Sequence, residues 1–218
     1  MQEVAGEFIL YGARGAGSVP VEAALRLIGL PYRLIEQDLD PRELDRRLSA
    51  INPMRQVPAL VLPSGELMTE SAAILLWLAD AHPKAGLAPT PEAPARAAFL
   101  RWLAFVSAAI YALYWVRDEP SRVVEGEAAQ AELKAQLHER ISQCWTIMDR
   151  QIEPTPYLAG GALSVLDLYV ATVSRWSPGR PAFFAAAPKL AAVVRLVDAD
   201  PRLEQLWLDR HPFRPGER

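Results

Sequence analysis

Cysteine is almost missing from this chain: Cys144 is the only one in 218 residues. A single thiol excludes an intramolecular disulfide and a cysteine-based zinc site, and it points to a reducing, cytoplasmic setting. Histidine is nearly as scarce. His82, His138 and His211 lie far apart without ligand spacing, so no metal is expected. Charge of one sign never accumulates. With 23 basic and 26 acidic side chains the formal charge is −3, which argues against binding nucleic acid by phosphate neutralisation. No apolar run of about 18 residues stands out, so no membrane span is expected. The stretch 1–8 carries two acids and no base, unlike a secretory signal.

What is present is a large apolar fraction, 51% of residues, enough for a sizeable core and far from a disordered composition. Residues 7–11 read as a short buried strand, followed by a loop with Gly12, Gly15 and Gly17. Pro20 suits a first helical turn. Val21, Ala24, Leu25 and Ile28 recur at helical spacing, and Gly29 ends the run. Residues 32–39 suit a second strand and 44–50 a short helix. Residues 59–62 and 66–68 flank the turn Pro63-Ser64-Gly65 as a hairpin, and 70–79 form an apolar helix. The order is β-α-β-α-β-β-α. Four prolines between 83 and 94 mark a linker. Beyond it only helices are predicted, over 95–116, 127–151, 165–176, 189–198 and 201–209. The expected fold class is an α/β domain over 1–82, a linker over 83–94 and an all-helical domain over 95–218.

The richest segment is Gln56-Val57-Pro58-Ala59-Leu60, followed by Thr69-Glu70-Ser71-Ala72-Ala73-Ile74. Proline cannot donate to a sheet ladder, and an X-Pro bond is where a cis peptide is affordable. Such a turn leaves the N–H and C=O of Val57 facing outward, an edge on which an extended peptide can dock. Twelve residues beyond Pro58 an acid and a hydroxyl open a helix, and a helix start is an anion site. Together they suit a small peptide with a free α-carboxylate. Glu70 and Ser71 would also serve as helix caps.

These segments, with Ser164-Val165-Leu166-Asp167-Leu168-Tyr169 and Ser174-Arg175-Trp176, resemble the cytosolic glutathione transferase superfamily, nearest to its bacterial beta class. The resemblance covers nearly the whole chain. It implies a thioredoxin-like glutathione-binding domain, a helical domain holding the electrophile site, and a homodimer. Val57, ahead of Pro58, would pair by its backbone with the cysteinyl part of glutathione. Gln56 would lie near the tripeptide backbone, and Glu70 and Ser71 would hold its γ-glutamyl end. Tyr111, Tyr114 and Trp115 either fill the core or receive a small hydrophobic electrophile. Ser164 and Asp167 fit a capping box and carry a structural role.

The chain has Gly17-Ser18 where beta enzymes carry Cys-Ser, and it lacks their His-Lys pair near Tyr111-Ala112. Mixed-disulfide chemistry therefore loses its cysteine, and Cys144 reads as a small buried residue. A hydroxyl that donates to the sulfur favours the thiolate, as does a helix N-terminus beside it. Ser18 is the first candidate for that donor, Tyr11 the second, and Arg14 a charge-based third. The implied activity is transfer of the glutathione thiolate to an apolar electrophile. A non-catalytic binding protein, or a glutathione-dependent isomerase, dehalogenase or peroxidase, are the alternatives.

Overall fold

The structure is a computed structural model and describes residues 6–37 and 46–213. Two compact units emerge, one of residues up to Ala88 together with Ala199–Phe213, the other Pro89–Asp198. The last helix packs against the α/β unit.

In the first unit β1 (Phe8–Gly12), α1 (Val19–Ile28), β2 (Tyr32–Glu36), α2 (Arg46–Ile51), β3 (Ala59–Val61), β4 (Leu67–Thr69) and α3 (Ser71–Ala81) follow the predicted order. Residues 38–39 of the expected second strand and 44–45 of the expected helix lie outside the described residues. The sheet order is β2-β1-β3-β4. β1 runs parallel to β2, across the α1 crossover, and antiparallel to β3, which pairs antiparallel with β4.

Alternation along β1 sends its side chains to opposite faces. Phe8 meets Trp77 of α3 edge-on at 6.4 Å, and α1 packs beside α3. Tyr11 points the other way, into a cluster with Ala13, Leu48 of α2, Val57 and Ala59. Helix α1 ends as its sequence predicts: Gly29 takes φ 80°, and its N–H reaches the carbonyls of Leu25 and Arg26. The hairpin turns at Gly65, φ 85°. Helix α10 (Glu204–Arg210) buries Leu206, Trp207 and Arg210.

The second unit contains α4 (Arg96–Phe105), a π-helical stretch Val106–Tyr111, α5 (Ala112–Asp118), α6 (Glu127–Gln151), α7 (Val165–Val173), α8 (Arg180–Ala186) and α9 (Pro188–Asp198). Every residue of α7 is buried, as befits a helix that is apolar all round. Asp167 at its start accepts hydrogen bonds from the N–H and hydroxyl of Ser164, at 2.7 and 2.6 Å, and from the N–H of Leu158 at 2.8 Å. Burial pushes its carboxyl up to about 6 even against these donors.

Helix α8 has no counterpart in the sequence reading, although Gly179 before it and Pro181 in its first turn are start signals. The stretch Arg96–Asp118 also corrects an expectation. By length and composition alone its 23 residues suffice to cross a membrane, a run the residue-by-residue reading did not see. Within the fold it buries Phe99, Trp102, Leu103, Val106, Ile110 and Tyr114.

On the flank of this unit, Arg117 Nε donates to His138 Nε2 at 2.9 Å. Partial burial, then the cations Arg117 and Lys134, hold the His138 imidazole below its ordinary range. The folded state therefore resists a proton that the unfolded chain takes up near pH 6.5. Stability should be level above that pH and decline as pH falls through it. In His138→Gln the decline between pH 7 and 5 should be shallower, as read by urea melts at each pH.

Candidate active site

One row of residues across the sheet organises the site. Tyr11 lies opposite Ala59 on one side of β3, and Thr69 lies opposite Ala59 on the other. The chain just beyond this row, on all three strands, leaves at one end of the sheet. There Gly12 leads into the first loop, Val57 and Pro58 run into β3, and Glu70 and Ser71 open α3.

The Val57–Pro58 bond is cis, as the sequence reading allowed. The N–H and C=O of Val57 have no hydrogen-bond partner among the described residues. The approach to Val57 is built by Asn52, to which the sequence reading gave no role. Its Nδ2 donates to the Gln56 carbonyl at 2.8 Å, its Oδ1 accepts from the Met54 N–H at 3.1 Å, and its carbonyl accepts from the Arg55 N–H at 2.8 Å. This is an Asx-turn, and Asn52-Pro53 is the kind of pair that announces one. The Gln56 side chain is exposed while Val57 and Pro58 are buried.

Among the described residues two non-glycines have positive φ, Arg55 at 53° and Glu70 at 64°. Both sit at this end of the sheet. Such a backbone costs about 1–3 kcal/mol for a non-glycine residue and gathers at functional sites. Glu70 is exposed and immediately precedes α3; Ser71 begins the helix and is buried. The first N–H groups of α3 have no partner within the helix, so the opening of α3 presents donors next to an exposed carboxylate.

In the first loop the Ser18 hydroxyl is buried. It accepts from the Ala13 N–H at 3.0 Å and donates to the Ala13 carbonyl at 3.2 Å. Its single proton is thus committed to a backbone carbonyl rather than aimed outward. Gly12 makes room for this clasp, because a Cβ there would stand 2.9 Å from Ser18 Oγ. Tyr11 packs its ring in the same cluster as Val57, and its hydroxyl has no hydrogen-bond partner among the described residues. Arg14 is exposed.

The three aromatic candidates belong to the other unit and divide. The Tyr111 ring lies 4.7 Å from Trp176 and 6.0 Å from Tyr169, and Tyr114 lies 5.0 Å from Trp176. Tyr114 is 4% exposed, and burial raises its phenol well above the ordinary value. It lines a cavity of about 10 Å³ with Trp145, Trp176 and Phe183, space for a single water and not for an organic electrophile. Trp115 is 46% exposed beneath the Arg122 guanidinium. Cys144 is buried, and burial raises its thiol. Among the described residues no cluster of three histidine, cysteine or carboxylate side chains is placed to hold a metal ion.

With this geometry in hand, the family follows from two matches. Residues 18–81 match the glutathione S-transferase N-terminal domain and residues 121–210 the glutathione S-transferase C-terminal domain. The chain belongs to the glutathione transferase family, as a thioredoxin-like domain followed by a helical one. It is 32% identical over 199 residues to the uncharacterized GST-like protein YncG of Escherichia coli K12, covering 90% of this chain and 95% of that protein. A glutathione transferase homolog from Sulfitobacter, solved with bound glutathione, superposes with a TM-score of 0.84 at 27% identity over 93% of this chain and 98% of the other. The bacterial beta-class glutathione S-transferase of Sphingomonas chungbukensis matches with a TM-score of 0.76 at 27% identity, over 93% and 98% of the two chains.

Proposed function

We propose that this glutathione transferase binds glutathione at the end of the sheet beyond the Tyr11–Ala59–Thr69 row, ionises its thiol there and adds the sulfur to an apolar electrophile. The observation that supports this most strongly is the pairing of a Val57 backbone that has no hydrogen-bond partner among the described residues with a strained Glu70 at the mouth of α3. Val57 offers one donor and one acceptor to the cysteinyl residue, as strand addition requires. Ser71 and the α3 N-terminus take the γ-glutamyl carboxylate, Glu70 takes its amine, and Gln56 lies along the tripeptide. That a similar protein from Sulfitobacter was solved with bound glutathione supports glutathione as the ligand.

The sulfur then lies between the start of α1 and Tyr11. A cysteine thiol near pKa ~8.5 is mostly protonated at neutral pH, so any donor aimed at the sulfur helps. With the Ser18 proton given to Ala13, the side-chain donor of choice becomes the Tyr11 hydroxyl, aided by the N–H groups and dipole at the α1 N-terminus. Ser18 then shapes the loop. A pH titration of bound glutathione thiolate by ultraviolet absorbance separates the roles. Tyr11→Phe should raise the midpoint by about one unit, equivalent to ~1.4 kcal/mol. A rise in Ser18→Ala alone would restore Ser18 as the donor, and a wild type with no lowered midpoint would favour binding without turnover.

Ring surface remains on Tyr111 and Trp115 for the electrophile, whereas Tyr114 serves as packing. The setting is cytoplasmic, in keeping with one buried cysteine. The protein acts as a homodimer. Along α4 and the π stretch, Ala97, Leu100, Ala104 and Ala108 are exposed on one stripe, an apolar face suited to a second copy. Light scattering at micromolar concentration should give twice 24.1 kDa; the monomer mass would count against the dimer.

A further inference from the structure

We infer that Arg210, near the C-terminus, is a positioning residue for the first loop: it fastens α10 beneath that loop, and its own carbonyl holds the loop in shape. The Gly15 N–H donates to the Arg210 carbonyl at 2.7 Å. The His211 ring lies beside Gly15, with Nε2 3.7 Å from where a Cβ would stand. Gly15 takes φ 67°, a left-handed conformation that suits glycine and that this bond helps to hold.

Helix α10 is fixed by charge. Arg210 is 4% exposed. Its Nε lies 2.9 Å from Glu22 Oε2, and its Nη1 donates to Glu36 Oε2. Glu22 is buried on α1, where its other oxygen accepts from Arg26 at 2.9 Å and from the Tyr32 hydroxyl at 2.8 Å. Arg210 therefore joins α1, the end of β2 and α10. From its carbonyl a chain of bonds runs inward: Gly15 to Arg210, the Ala16 N–H to the Ala13 carbonyl at 3.3 Å, and Ala13 to the Ser18 hydroxyl.

The loop so held is the one that carries the α1 N-terminus toward the sulfur. This part of the inference rests on the function proposed above. A buried arginine shared by two carboxylates holds α10 in place, because releasing it would leave Glu22 short of a cation inside the fold. A misplacement of the loop by a fraction of an ångström then reaches the thiol through geometry.

The test uses the whole protein, with Arg210→Met, Arg210→Lys and Glu36→Gln. Amide hydrogen exchange of Gly15, followed by NMR without ligand, reads the latch alone. It should speed by about tenfold or more in Arg210→Met relative to amides within α1. Thiolate titration and kcat/KM for glutathione read the consequence. The midpoint should rise and kcat/KM should fall about tenfold, with partial recovery in Arg210→Lys. If Arg210→Met does not fold, Glu36→Gln carries the same readouts, since Glu36 is half exposed and its loss leaves Glu22 paired. A fall in melting temperature with Gly15 exchange, midpoint and kcat/KM unchanged would overturn the inference and make Arg210 a stability residue only. Were wild-type protein to bind no glutathione, the proposed function would fall, and unchanged Gly15 exchange would still be needed to overturn the latch.

Discussion

Replacing Asp198 with alanine should destabilise the helical unit by about 3–5 kcal/mol, the range for breaking a buried ion pair by removing one partner. Asp198 lies at the end of α9. Its Oδ2 accepts from Arg180 Nη1 at 2.8 Å, and its Oδ1 accepts from Arg175 Nη2 at 3.0 Å and Arg180 Nη2 at 3.2 Å. All three side chains are out of solvent, with Arg175 and Arg180 at 0% and Asp198 at 3%. The substitution takes the Asp198 carboxylate from between two buried guanidinium groups, and neither cation can relax into water without opening the fold. Arg180 Nη2 keeps the Ala171 carbonyl at 2.8 Å, which offsets a small part of the loss. For a chain of this size the drop corresponds to a melting point lower by roughly 10 °C. Urea denaturation of Asp198→Ala and Asp198→Asn decides it, with asparagine milder because it retains an acceptor. A loss below about 1 kcal/mol would mean that the pair barely repays its own desolvation.

The second large effect concerns binding. Ser71→Ala should weaken glutathione binding by about 1–3 kcal/mol, the range for losing a hydrogen bond to a charged group. Ser71 is buried at the first position of α3, where an incoming carboxylate would meet its hydroxyl and the first N–H groups together. Calorimetry against wild type gives the number. Far-ultraviolet melts separate it from a capping effect, because loss of a cap lowers stability with no ligand present. Unchanged affinity would leave Ser71 with the helix and move the carboxylate elsewhere.

Much of the α/β unit was legible because its signals are local. Pro20 in the first turn of α1, Gly29 at its end, the Pro63-Ser64-Gly65 turn and the proline after Val57 each act within a few residues of themselves. The sequence placed them correctly. The family resemblance rested on the same stretches. Long-range pairings were not legible. Glu36 and Arg210 lie 174 residues apart, and no periodicity joins them, so the contact of the last helix with the α/β unit could not be read. Arg180 lies in a stretch that the sequence reading assigned to no element, and its partner Asp198 is eighteen residues on. Ser18 shows a different limit of the sequence. Its type and place suit a thiol donor, but the direction of one hydroxyl depends on how the loop closes over Gly12, and the Ala13 carbonyl takes the proton. The π stretch Val106–Tyr111 is invisible in a pattern that fits a straight helix equally well.

The most direct test is a crystal structure of the protein with glutathione. The tripeptide should lie along Val57, its cysteinyl N–H and C=O paired with that backbone. Its γ-glutamyl carboxylate should rest at Ser71, and its sulfur should lie within about 3.5 Å of the Tyr11 hydroxyl or the N–H groups that open α1. Glutathione bound away from the Val57 edge, or absent from the crystal at millimolar concentration, would contradict the account.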